Sequence, residues 1–537
     1  MQYLLLLPVV LLFVAAGAIL VLRRFRPGSV YAWLLAVVVC LAVWGLLIYF
    51  RFHAPAAVIF INWLPVTQAV GTVIFQLDTP AWVYTMSLAG LAAAVILTAS
   101  ARLHQNSNPS TWAANLAITA AGMLATLAGT PLALVLAWTL IDAIELVFIL
   151  GAVSEKETSS EAVLAFSFRI TGTLVLMGTM VLSRATGQEL LLIDPRPDLS
   201  IFLLIAASLR LGVLPLHLPY IRDLPFRRGV STTLRIVSAA SGLVVLGRLP
   251  VTVVSQVWYP WMLLFAALAA FYGAVMWLTS PNEIRGRPYW MIALGGLAVV
   301  SVVRGYPTAS LAWGSLLILS GSLLFLYSVR ELRLIFLPVL GALALSGLPF
   351  TPGGVGWEGL VVFPINYPDF IFWGVHALLL AGFIRHMFRP EEPLSILEPW
   401  IKVVYPLGLG LLAGTAWLVA VLGWTDSRGL DRWWASLATV LAAVGGWYAY
   451  RRLRPWWAAH PERTAWVTVV GRPVLRVSNA LLRLDWLYLL VGFAYRLAQA
   501  LIRAVTVILE GEGGVLWVLV LLALLISLLQ SSLAGAP

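Results

Sequence analysis

The sequence predicts an all-α polytopic membrane protein with about 14–16 transmembrane helices, and three observations carry that prediction. The 537 residues are 61% hydrophobic and only 11% charged, with a mean hydropathy of +0.95, whereas a soluble domain carries roughly 25% charged residues. The apolar residues fall into runs of about 20, the length needed to cross a bilayer. The basic residues gather between alternate runs, as they do in cytoplasmic loops.

Taken in order, the first run, Tyr3 to Leu22, has no positive charge before it and Arg23, Arg24 and Arg26 after it. A secretory signal has the reverse polarity, so the run is expected to be a retained span with its N-terminus outside. Further spans are expected at 30–50, 80–101, 111–128, 130–151, 161–183, 199–218, 230–248, 256–277, 288–303, 308–328, 334–350, 370–388, 403–424, 433–450 and 515–534. Residues 54–77 are apolar but interrupted by Pro55 and Pro65, and fit a re-entrant or short β element before Asp78. With sides alternating, 18 basic residues between Arg23 and Arg454 fall inside. Seven fall outside: Arg51, Arg184, Arg196, Arg248, Arg304, Arg428 and Arg432. This imbalance supports both the orientation and the span parity, and places the chain in a cytoplasmic (inner) membrane.

Residues 472–510 behave differently. Arg476, Arg483, Arg496, Arg503 and Glu510 recur at near-heptad spacing through apolar sequence. That polar stripe suits a lateral amphipathic helix along the membrane or against a partner; a further spanning helix at 486–509 is the alternative.

The one cysteine, Cys40, excludes a disulfide framework and cysteine-rich metal sites. The net charge of +11 comes almost wholly from arginine, with Lys156 and Lys402 the two lysines. No basic run is interleaved with aromatics, so nucleic acid is not an expected partner. There is no Gly-rich phosphate loop, zinc helix or nucleophile elbow, and the six histidines are scattered. No catalytic residue, metal site or cofactor is therefore expected.

The stretch 203–250 concentrates the features that a membrane tolerates least. Its first apolar segment is interrupted by Gly212 and Pro215, and Arg210, His217 and Arg235 fall at or near membrane depth. Broken helices beside ionisable residues usually line an ion or substrate path. Asp142 and Glu145, three apart, share a face of the fifth expected span. They either share a proton or neutralise Arg210 or Arg235.

Several motifs, in order, carry a family resemblance. Phe75-Gln-Leu-Asp78 is similar to the start of the family's third span, and Trp138 and Leu140 fall where it has Trp-Glu-Leu. Phe168-Arg169-Ile-Thr-Gly172 falls on its Asn-Arg-Val-Gly-Asp. Pro215-Leu-His217 and Leu218-Pro219 match its Pro-Leu-His-x-Trp-Leu-Pro with the Trp lost, and Val230-Ser231 through Gly242 and Arg248 is similar to its Val-Ser-Ala-Leu-Leu-His segment. Ser346 through Pro349 to Trp357-Glu358 resembles its Gly-x-Pro-Pro-x-x-Gly-Phe-x-x-Lys-Glu. Over roughly residues 60–390 the chain thus resembles the antiporter-like membrane subunits of respiratory complex I, membrane-bound hydrogenases and Mrp-type cation/proton antiporters.

The resemblance implies two inverted repeats, each with a broken helix, and a midplane chain of Glu, Lys and His that moves protons. The expected divisions are N-terminal helices at 1–110, repeats at 111–255 and 256–395, additional helices at 396–455, and a lateral helix with a final span at 456–537. The departures fall on functional positions. The family's glutamate aligns with Thr139, its seventh-span lysine with Arg210, its eighth-span histidine with Arg235 and a nearby lysine with Ala240. Arginine does not release its proton in a protein, so it biases neighbours instead of relaying. Proton-path candidates are Asp142, Glu145, Arg169, Arg210, His217, Arg235, Glu358 and His376. Arg169 is expected to pair with a carboxylate or with freed carbonyls, His217 fits a structural role equally well, Glu358 and His376 fit loop or interface roles, and His386 is expected to be solvated beside Arg385 and Arg389.

Three functions remain open. The chain translocates protons or Na+ as a subunit of a complex related to complex I, with other membrane subunits and lipid as partners and no active site of its own. It has kept the scaffold and lost pumping. Or it is a membrane-embedded lipid-linked transferase, holding an anionic head group at Arg227 and Arg228.

Overall fold

The computed structural model describes residues 2–25, 31–53, 57–60, 72–101, 109–152, 156–186, 190–218, 228–329, 331–389, 398–424 and 432–459. Beyond these it describes isolated positions between 489 and 506, and the helical stretch 518–526. Two compact units are present, Met1–Arg452 and Leu453–Pro537. The expected lateral helix at 472–510 lies largely outside the described residues, as does most of the final span.

Helices dominate, in the expected order. They are α1 (Leu7–Phe25), α2 (Tyr31–Arg51), α3 (Thr79–Thr98), α4 (Pro109–Leu127), α5 (Pro131–Ala152), α6 (Lys156–Ala185), α7 (Pro197–Leu211) and α8 (Arg228–Arg248). There follow α9 (Tyr259–Thr279), α10 (Glu283–Val303), α11 (Pro307–Leu326), α12 (Phe336–Leu345), the single turn α13 (Trp357–Leu360), α14 (Tyr367–Met387), α15 (Ile401–Gly423) and α16 (Trp433–Ala459). Among the described residues, 11 helices are long and apolar enough to cross a membrane. Five of the 16 expected spans are not among them: α7 and α12 stop part-way, α4 and the Trp- and Tyr-rich α16 are less apolar, and most of the final span lies outside the described residues. The interrupted segment 54–77 contains a hairpin, β1 (Ala57–Phe60) antiparallel to β2 (Val73–Gln76). It is tied to the end of α4 by the Gly129 amide, which donates to the Ile74 carbonyl at 2.8 Å.

Helices that are apolar all round must be buried all round, and four of them form the centre. α3, α8, α10 and α11 are enclosed; α3 packs against α2, α4, α8, α11 and α15, and α11 against α8, α10 and α15. α1, α2, α5, α6 and α9 lie outside them and leave apolar faces exposed, such as Leu136, Val147, Leu174 and Val181 on α5 and α6. In a membrane those faces meet lipid or another subunit.

Two helices break inside the bundle. α7 ends at Gly212, whose φ of 73° is left-handed; its amide bonds the Leu209 carbonyl and the next amide bonds Ser208. This is the Schellman arrangement, which favours glycine because other residues are strained there. α12 also stops before a left-handed glycine, Gly347 at φ 71°. A Cβ on Gly347 would sit 1.8 Å from Trp357 Nε1, so this position needs glycine twice over.

Candidate functional site

The centre of the first half is built on one face of α5. Trp138, Asp142 and Glu145 follow helical spacing and are all buried, whereas Thr139 and Leu140 point outward. Thr139, aligned with the family glutamate, lies off this buried face, its hydroxyl bonded to its own helix at Val135. The inward carboxylate is Asp142, one turn later.

Arg210 reaches Asp142 from the last turn of α7. Both terminal nitrogens donate to the carboxylate at 2.9 Å, and one also approaches Ser238 Oγ at 3.3 Å. The guanidinium lies 4.6 Å from the Trp138 ring centroid. Two glycines make room for it. A Cβ on Gly172 of α6 would meet the Ala206 carbonyl at 3.0 Å and Arg210 Cγ at 3.5 Å, and one on Gly242 of α8 would meet the Ala207 carbonyl at 3.2 Å. Small residues at these two points let three backbones close around a long cation.

Arg169 of α6 completes the cluster. It donates to Glu145 and lies 3.8 Å from Asp142. Two carboxylates and two guanidiniums thus form one neutral, buried network, the condition under which charges persist away from water. Asp142 thus meets Arg210, one of the two arginines expected for it, and Glu145 meets Arg169.

The other candidates divide between this centre and two further places. His217, 1% exposed beyond the first break, stacks on Phe168 at 4.2 Å, with Nδ1 2.8 Å from the Pro215 carbonyl. Phe168 precedes Arg169, so His217 borders the network. Arg235, also buried, lies within electrostatic reach of Arg287. Arg287 in turn donates to Thr232 Oγ1 at 2.9 Å. Arg228 pairs with the buried Glu283 at 2.8 Å.

The second break holds His376. It is fully buried on α14, with Nε2 2.9 Å from the Leu345 carbonyl freed at the end of α12 and Nδ1 3.0 Å from Thr439 Oγ1 of α16. Trp357 stands edge-on to it at 5.0 Å. Glu358, the next residue along, is half-buried in α13. His386 is not solvated: it is fully buried, because Trp277 of α9 covers its ring and accepts from Nε2 at 3.1 Å.

Two further ion pairs tie helix ends together. Arg248 grips Asp78, the N-cap of α3, at 2.8 and 2.9 Å, and donates to the Ala128 carbonyl at 2.5 Å. Arg304 pairs with Asp369 at 2.7 Å. Charge counting assigns both arginines to external loops, since each ends a helix. The available signal was the presence of Asp78 and Asp369 at helix starts, where an acid also serves as a cap. Among the described residues no group of three or more His, Cys, Asp or Glu could hold a metal.

Comparison with known proteins agrees with this architecture. A chain in the structure of the Mrp complex from Dietzia sp. DQ12-45-1b is similar over 91% of this chain and 63% of its own length, with a TM-score of 0.64 and 18% identity. The all-α polytopic membrane fold expected from the sequence is the one observed. The chain thus spans less than two thirds of that Mrp chain. A chain of the membrane-bound sulfane sulfur reductase, an archaeal respiratory membrane complex, is similar over 79% of this chain and 77% of its own, with a TM-score of 0.61 and 13% identity. A chain of respiratory complex I from Thermus thermophilus is similar over 76% and 97%, with a TM-score of 0.57 and 16% identity. No protein-family model and no curated protein matches the chain.

Proposed function

We propose that the chain is an antiporter-like subunit of a multi-subunit membrane complex and takes part in moving protons or another cation across a cytoplasmic membrane. The observation that carries this reading is the buried Asp142–Arg210–Arg169–Glu145 network beside a broken helix. The two-repeat organisation at 111–255 and 256–395 is supported by a repeated neighbour pattern. α4 packs on α5 and α8 and α6 on α7, as α9 packs on α10 and α14 and α11 on α12.

In this mechanism the arginines are fixed charges, and the groups able to exchange a proton are Glu145, Asp142 and His217 in the first half and His376 and Glu358 in the second. Protonating Glu145 releases Arg169, which is already 3.8 Å from Asp142. The guanidinium can then move toward Asp142, so one proton redistributes charge between two carboxylates without any cation losing its own. In the intact complex reconstituted in proteoliposomes, Glu145→Gln, Asp142→Asn and His217→Gln combined are expected to lower ion-coupled activity at least tenfold. Unchanged coupling would defeat the reading.

A second reading is favoured by Arg210 itself. A bidentate, fully buried Arg–Asp pair is a static fastening, so a scaffold subunit without pumping is also supported. The same triple variant then leaves coupling intact and lowers only the stability of the complex. The transferase reading gains no support, since Arg228 is engaged with Glu283.

A further inference from the structure

α14 and α16 run side by side without closing on each other. They meet at two ends: Trp373 against Trp434 at 5.3 Å and His376 on Thr439 at one, Phe388 stacked on Trp447 at 4.9 Å at the other. Between these contacts lies a slot of about 770 Å³ bounded on its third side by Leu278 and Thr279 of α9. Gly374, Ala377 and Ala381 line one wall, Ala442, Ala443 and Gly446 the other. Small residues facing one another normally bring membrane helices into contact. Here the bulky rings at both ends hold the helices apart, and the small residues enlarge the space instead.

The slot has the dimensions and polarity of one leaflet's lipid. From Gly374 to Arg385 α14 rises about 17 Å, close to half of the roughly 30 Å hydrocarbon core. Its volume lies within the roughly 300–1,000 Å³ typical of ligand sites. It is apolar along its length and ends at Arg385, Trp447 and Tyr450. Aromatic rings with an amphipathic edge mark the headgroup level. Arg385 is half-buried there, anchored by a bond to the Leu278 carbonyl, and its charged or ionisable neighbours include Arg389, Tyr450 and the buried His386. Arg451 adds a third guanidinium, 5.5 Å from the Trp447 ring. Among the described residues no carboxylate lines this end of the slot.

We propose that the α9–α14–α16 slot is a binding site for an anionic phospholipid, with one acyl chain between α14 and α16 and the phosphate at Arg385. Basic pockets between helices at the headgroup level select anionic lipids by charge, and a chain filling the slot removes a void that the membrane would otherwise leave between apolar walls.

Native mass spectrometry of the detergent-purified protein, titrated with phosphatidylglycerol or phosphatidylcholine, tests this. One phosphatidylglycerol is expected to bind at least tenfold more tightly than phosphatidylcholine. Arg385→Gln should remove the preference, and Ala381→Leu with Gly446→Leu should remove binding, with helicity by circular dichroism retained. Equal binding of the two lipids, or undiminished binding to the filled slot, overturns the proposal. Leu378→p-benzoylphenylalanine, photolysed in native membranes, provides a measurement independent of those variants. A phospholipid adduct is expected, whereas a polypeptide adduct assigns the slot to a partner helix and overturns the proposal.

Discussion

At the residue scale, a buried ion pair resists the loss of one partner far more than the loss of both. Removing Asp142 alone leaves Arg210 charged and enclosed, a change that costs about 3–5 kcal/mol. Asp142→Asn and Arg210→Met, taken singly, are therefore expected to lower the thermal unfolding midpoint in detergent by several degrees. Asp142→Leu combined with Arg210→Met should recover most of the loss, because an apolar pair of similar volume needs no solvation. A double variant as unstable as the singles would show that the pairing is not what holds α5 to α7. Much of this site was legible in the sequence, since helical spacing alone places Trp138, Asp142 and Glu145 on one face. The choice of partner was not, because it depends on how closely α6 and α8 approach α7 at Gly172 and Gly242. Thr139 misleads for a related reason. A match between linear motifs carries no helical phase, and neighbouring positions differ by about 100° around the helix, so Thr139 faces outward beside the inward Trp138. His386 misleads because two neighbouring arginines at a helix end suggest water, while the covering Trp277 comes from a helix more than 100 residues away.

At the scale of elements, the two breaks make different demands on their glycines. Gly212 requires left-handed geometry, so Gly212→Ala should cost about 1–2 kcal/mol. Gly347 requires both that geometry and the space taken by Trp357, and overpacking adds a further ~1–3 kcal/mol. Gly347→Ala should therefore shift the unfolding midpoint more than Gly212→Ala does, and equal shifts would show that the Trp357 contact relaxes freely. Apolar runs made the long helices readable in advance, Gly212 and Pro215 the first break, and the family resemblance over Ser346–Glu358 the second. Pro55 and Pro65 likewise announced an element other than a helix, where the hairpin stands. The four-residue turn α13 left no comparable signal, because its length is set by the packing of Trp357 under Gly347 and not by a repeating pattern.

For the whole molecule, the placement of charge yields a topology that labelling can check. Cys40 is 1% exposed, so Cys40→Ser supplies a silent background for single cysteines. With the N-terminus outside, Asp198→Cys should react with an impermeant maleimide in intact cells. Arg285→Cys should react only after permeabilisation. The opposite pattern would reverse the orientation, and labelling of both from one side would break the parity. Distant parts of the chain are also fastened across the bundle. Arg51 at the end of α2 donates to the Leu422 carbonyl of α15 at 2.5 and 2.8 Å, and Trp44 donates to Thr415 at 3.0 Å. Arg51→Ala should therefore loosen α15 as well as α2, read as faster amide exchange in both.

His376 ties the loose end of one helix to the flank of another. Through its two ring nitrogens it joins the carbonyl left open at the second break to a hydroxyl on α16. Such a tether works as a mechanical linkage, turning sideways travel at the rim of the bundle into slack at its interior. Any displacement of α16 from α14 would take Thr439 off Nδ1 and free the imidazole to pivot, so the hold on Leu345 depends on how closely the flank is packed.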